Sequence, residues 1–160
     1  MPRRTRKLMN TRGENGTAKK DETKPHEKPG ILLVNDDHLV RGLLQLGLER
    51  KGFDVWLARN GREAIDLYQG HRENIDVVLL DVRMPGLDGP ATLDALRELN
   101  PAVQACFMSS DTDGYKTEEL IRRGAVQVLV RPFLLEDLAD ILCKLARRAP
   151  ADLLPSGKAC

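Results

Sequence analysis

The chain has 160 residues, 41% hydrophobic and 31% charged, with a formal net charge of +1. That length accommodates one domain with an ordinary core plus a tail, and no apolar run reaches the roughly 18 to 20 residues of a bilayer span. Only 4% of residues are aromatic, so the core must be aliphatic, and the basic start at Met1–Lys7, with no apolar segment after it, is not expected to be a secretory signal.

Charge is unevenly spread. Residues 1–28 carry nine Lys/Arg against four Asp/Glu, leaving 16 basic and 20 acidic residues for the rest. This stretch has almost no apolar side chains, so it cannot bury enough surface to offset the entropy of ordering, and it reads as a disordered basic tail. Without aromatic residues between its charges, no nucleic-acid partner is expected of it. Cys106, Cys143 and Cys160 show no metal-ligand spacing. Cys106 and Cys143 fall inside apolar patterns and read as small reduced core residues, which makes a reducing cytoplasm the expected location.

After Pro29-Gly30, the apolar run Ile31–Val34 predicts a strand, ending in Asn35-Asp36-Asp37. Leucines and valine at 39, 40, 43, 44, 46 and 48 recur at helical spacing, so a helix is expected from His38 to Lys51, stopped by Gly52. Phe53–Ala58 reads as a strand, Asn60-Gly61 as a turn and Arg62–Gln69 as a short helix. Val77–Leu80 is an unbroken apolar run, the pattern of a strand covered on both faces, and it stops at a carboxylate, Asp81. Turn chemistry follows, Pro85-Gly86 and then Asp88-Gly89-Pro90, opening a helix to Leu99. Val103–Met108 predicts the fourth strand, finishing at Ser109-Ser110. Asp111–Lys116 reads as loop, Thr117–Arg123 as a short helix before Gly124, Val126–Val130 as the fifth strand and Leu135–Arg148 as the last helix.

Five strand–helix alternations with near-continuous apolar strands call for a parallel sheet with helices on both faces. Right-handed crossovers then favour the flavodoxin-like (βα)5 arrangement, strand order 2-1-3-4-5. The expected domain spans 29–149, with 1–28 and 150–160 as tails.

In a parallel sheet all strand carboxyl ends share one edge, where ligands gather. That edge would collect Asn35, Asp36 and Asp37, then Asp81, Ser109 and Arg131, from four separate places in the sequence. Neighbouring carboxylates raise one another's pKa unless a cation lies between them, and a hard divalent ion such as Mg²⁺ suits oxygen ligands. Such a site could let one carboxylate attack phosphorus, with metal, hydroxyl and basic side chain sharing the charge.

Four segments carry a resemblance: Ile31–Asp37; Asp81-Val82-Arg83-Met84-Pro85-Gly86-Leu87-Asp88-Gly89; Phe107-Met108-Ser109-Ser110; and Arg131-Pro132-Phe133. Over residues 30–148 the chain resembles the receiver domain of two-component response regulators. The resemblance implies that Asp81 accepts a phosphoryl group, and that Asp36, Asp81 and the backbone carbonyl of Arg83 ligate Mg²⁺. It places Ser109 at the switch hydroxyl and Arg131 at the phosphate-binding cation, with Pro132 after a cis bond. Asp37 matches a common acidic neighbour, and either Asp36 or Asp37 is expected to cap the first helix.

Three positions depart from the pattern. Asn35 replaces an acid and is left as a weak metal ligand. Arg131 stands where the family has Lys, offering a planar fork in place of a compact ammonium. Val128 stands where many receivers carry a switch aromatic. The expected function is therefore a stand-alone phosphoacceptor receiver, phosphorylated by a histidine kinase or histidine phosphotransfer protein and signalling through an unidentified protein target, with possible dimerisation on phosphorylation. It would not be an enzyme beyond its own phosphoryl transfer and dephosphorylation. The alternative is a pseudo-receiver, a scaffold independent of phosphorylation. A haloacid-type hydrolase would want a second Asp where Arg83 stands, and an FMN binder would want a phosphate loop where Asn35-Asp36-Asp37 stands.

Overall fold

The computed structural model describes residues 27–110 and 114–148. The expected tails lie outside these residues, apart from Glu27 and Lys28 at the end of the first, as do residues 111–113 of the expected loop at Asp111–Lys116. In chain order the elements are β1 (Gly30–Val34), α1 (His38–Arg50), β2 (Asp54–Ala58), α2 (Gly61–His71), β3 (Val77–Asp81), α3 (Gly89–Leu99), β4 (Ala105–Ser109), α4 (Thr117–Arg122), β5 (Gln127–Val130) and α5 (Leu135–Arg147). All four strand pairings are parallel and the sheet order is β2-β1-β3-β4-β5. This is the flavodoxin-like arrangement expected from the alternation.

The unbroken apolar runs became the interior strands. β1, β3 and β4 are buried at every position, whereas the edge strands β2 and β5 are partly exposed. Alternate residues feed two aliphatic cores. Leu32, Val34, Val78, Leu80 and Phe107 face α2, α3 and α4 through Ala64, Tyr68, Leu93, Leu96 and Leu120. Ile31, Leu33, Val77, Leu79, Cys106 and Met108 face α1 and α5 through Leu48, Leu138 and Leu142. Each fully buried aliphatic side chain contributes about 1.5–3 kcal/mol of transfer free energy.

Helix starts follow local chemistry. Asp37 caps α1, Asn60 caps α2 and Asp88 caps α3, where Pro90 lies in the first turn. The Asn60-Gly61 turn is thus the start of α2 itself. α4 and α5 lack a side-chain cap but carry Glu118, Glu119, Glu136 and Asp137 in their first turns, where negative charge complements the helix dipole.

The expected helix is α1, in which Leu44 packs on the core and Leu48 is buried in it, while Leu39, Leu43 and Leu46 are 65%, 72% and 49% exposed. One reading needs correction. Cys106 is free and buried, but Cys143, read as a reduced thiol, is disulfide-bonded.

Candidate functional site

Asp81 is the last residue of β3, and its register partner on β4 is Met108, so Ser109 follows immediately on the adjacent strand. Ser109 in turn pairs with Val130 on β5, which puts Arg131 one residue further along. The sheet therefore converts three distant sequence positions into neighbours at one edge. Gly89 completes the close approach: a side chain there would run into the Asp81 carbonyl and the Phe107 ring, so the start of α3 can sit against the end of β3 only with glycine.

The Asp81 carboxylate is 8% exposed and held at both oxygens. Oδ1 accepts the Arg83 backbone N–H at 3.3 Å, and Oδ2 lies 3.1 Å from Arg131 Nη2. The ion pair offsets the desolvation of a carboxylate at a nearly buried position. The Arg131–Pro132 peptide is cis. Ser109 is buried, and its hydroxyl donates a long bond of 3.4 Å to the Ser110 carbonyl.

The β1 carboxyl end divides its three polar residues by role. Asp37 accepts from Leu39 N at 2.8 Å and Val40 N at 3.3 Å. Those two N–H groups, Val40 first, hold its carboxyl below the usual value. Asp36 is exposed. Asn35 is fully buried, its Oδ1 accepts from Asp37 N at 2.9 Å, and its backbone carbonyl accepts from Arg41 Nη1 at 2.6 Å. Among the described residues, Asn35 Nδ2 is the buried side-chain polar atom without a hydrogen-bond partner.

These contacts test the fit of a divalent ion. Asn35 Oδ1 already accepts the Asp37 N–H and its unpartnered atom is a donor, so it has one remaining lone pair to offer a cation. The carboxylates of Asp36 and Asp81 and the carbonyl of Arg83 remain, a set of hard oxygens of the kind Mg²⁺ takes while keeping several waters. Among the described residues no group of three or more His, Cys, Asp or Glu could hold a metal, so waters and the backbone carbonyl would have to complete the shell.

One residue at this edge escaped the sequence reading. Tyr115, taken as loop, donates to Asp88 Oδ2 at 2.9 Å, and its ring lies 5.7 Å from the Arg83 guanidinium carbon and 5.9 Å from that of Arg123. The available signal was its rarity, an aromatic six residues after Ser109 in a chain with two tyrosines.

A family profile described as "Response regulator receiver domain" matches residues 31–143. The transcriptional regulatory protein ZraR of Escherichia coli K12 is 35% identical over 119 residues, which are 74% of this chain and 26% of ZraR. This chain thus spans about a quarter of the length of that curated relative. Among solved structures, the receiver domain of the Francisella response regulator 1452 superposes with a TM-score of 0.69 at 28% identity, covering 76% of this chain and 98% of that one. CheY in the CheX–CheY–BeF3–Mg²⁺ complex of Borrelia burgdorferi superposes at 0.67 with 25% identity, covering 73% and 88%. With this edge geometry, this sheet order and this match, the chain belongs to the response regulator receiver domain family of two-component systems.

Proposed function

We propose that the chain is a phosphoacceptor whose nucleophile is Asp81. The observation that carries this reading is the pairing of Asp81 Oδ2 with Arg131 Nη2 at 3.1 Å, at an edge where Ser109 follows the register partner of Asp81. An Asp81 oxygen attacks phosphorus in line. The P–N bond of a donor phosphohistidine breaks, its electron pair returns to the imidazole, and the new P–O bond makes an acyl phosphate. Arg131 already neutralises the carboxylate, and its guanidinium fork can follow the charge onto the phosphoryl oxygens. The Ser109 hydroxyl exchanges its long bond to Ser110 for a phosphoryl oxygen. Mg²⁺, held by Asp36, Asp81 and the Arg83 carbonyl, would supply charge neutralisation on the transferring oxygens.

The donor would be a protein. Leu39 and Leu134 are 65% and 68% exposed and lie in the first turn of α1 and just before α5, beside the acceptor edge. Exposed apolar side chains bordering a polar site mark a surface that a partner covers. A histidine kinase or histidine phosphotransfer protein presenting an apolar helix suits it. The chain catalyses nothing beyond gaining and losing its own phosphoryl group, and its target is a further protein.

The test is incubation with acetyl phosphate and Mg²⁺, read by intact mass beside Asp81→Asn. A Mg²⁺-dependent gain of one phosphoryl group, absent in the variant, is expected. No gain from acetyl phosphate or from a phosphorylated histidine phosphotransfer protein overturns the proposal. That outcome leaves the pseudo-receiver reading, which the engaged oxygen of Asn35 favours, and partner binding that survives Asp81→Asn would establish it.

A further inference from the structure

The two connections that leave the acceptor edge, β3 to α3 and β4 to α4, are joined by one side chain. Tyr115 lies in the second connection and reaches the first twice, through its hydroxyl bond to Asp88 and its ring contact with Arg83. Gly114 permits the second contact: its φ is +77 degrees, and a Cβ there would come within 2.8 Å of Arg83 Nη2. A side chain at 114 would therefore push the guanidinium off the ring.

Asp88 is a fixed post. Its Oδ1 caps α3 at Ala91 N, 2.9 Å, and its backbone carbonyl accepts the Thr92 hydroxyl at 2.7 Å. The other end of α4 is strapped to α3 as well, by the Arg123–Asp94 ion pair at 3.3 Å and by Arg97 Nη1 on the Arg123 carbonyl at 2.7 Å. Tyr115 is half-buried and borders the same apolar cluster as Val128. Its hydroxyl bond to the Asp88 carboxylate, the first cause, raises its pKa, so the phenol stays protonated and remains a donor at neutral pH.

We propose that Tyr115 is the latch between Asp81 and the α4 surface, holding the β4–α4 connection on Asp88 and Arg83 until phosphorylation draws Ser109 away. The inference rests on the phosphoacceptor reading. Ser109 must leave its long bond to Ser110 to reach a phosphoryl oxygen, and Tyr115 follows it by six residues in the same link from β4 to α4. Asp88 cannot follow, because it caps α3. The Tyr115–Asp88 bond therefore opposes the phosphorylated conformation, and opening it frees the start of α4.

The experiment titrates the full chain with beryllofluoride and Mg²⁺, a phosphoryl mimic, for the native protein, Asp81→Asn and Tyr115→Phe. Tyrosine ring resonances are followed by NMR; Tyr68, whose hydroxyl accepts from Asn100 within the fold, serves as the internal control. Native protein should bind in an Asp81-dependent way, with Tyr115 resonances shifting and Tyr68 unmoved. Tyr115→Phe keeps the ring between the two guanidiniums but loses the bond, so it should bind the mimic about 3- to 10-fold more tightly. Equal or weaker binding by Tyr115→Phe, or Tyr115 resonances that stay put at saturation, overturns the latch and leaves the phosphoacceptor reading standing. Absence of Asp81-dependent binding in the native protein overturns both.

Discussion

α1 and α5 are both 13 residues long and lie on the same face of the sheet, yet they use their leucines in opposite ways. α5 buries Leu138, Leu142 and Leu145 against Cys106, Met108 and Leu129. α1 commits Leu44 and Leu48 to that core and turns Leu39, Leu43 and Leu46 to solvent. Helical spacing counts apolar residues per turn, but it does not say which stripe meets the sheet. The leucines of α5 report on stability, and the outer leucines of α1 report on the proposed docking surface.

The largest effect that sharpens this contrast concerns the core beneath α5. Burial pushes the Cys106 thiol up to about 12. At about pH 8 its thiolate fraction is on the order of a thousandfold below that of a free thiol, so alkylation should be slower by at least that factor. Peptide mass mapping of a labelling time course checks this, and rapid labelling of Cys106 in the folded protein would show that the α5 face is open.

Truncation comes next. Leu142→Ala should lower the unfolding free energy by about 2–5 kcal/mol, measured by chemical denaturation, because a fully buried side chain leaves a cavity. A loss below about 1 kcal/mol would mean that α5 packs no better than α1.

A smaller effect separates the two helix starts. Asp37 caps α1, whereas α5 has no side-chain cap. The Asp37 pKa lies below its unfolded value of 3.8, so its contribution is present above that value and fades as pH falls through the lower folded one. Asp37→Ala should lower the melting temperature at about pH 7, and the gap to native protein should close by about pH 2.5. A gap that persists unchanged would remove the carboxylate from the cap.

The smallest effect on stability should come from Leu43→Ser, within about 0.5 kcal/mol of native protein. The same variant should slow phosphotransfer from a histidine phosphotransfer protein while leaving phosphorylation by acetyl phosphate unchanged. Equal slowing with both donors would place Leu43 in the fold and not at an interface.

Much of this protein was written locally. Unbroken apolar runs at Ile31–Val34 and Val77–Leu80 can only be satisfied by covering both faces of a strand, and their alternation with helical patterns leaves few sheet orders. The alternation by itself therefore puts carboxylates, a hydroxyl and a cation at strand ends on one edge. Asp88-Gly89-Pro90 announced the start of α3 through turn chemistry and the fixed φ of Pro90, both properties of single residues.

What tertiary structure alone decided are the contacts between segments far apart in sequence. Which leucines of α1 met the sheet depended on the helix's rotation against β1 and α5. Tyr115 looked like loop because its partners, Arg83 and Asp88, come from another connection. Sequence periodicity reports the chain's own geometry, whereas such pairings exist only once the sheet has brought separate connections to one edge.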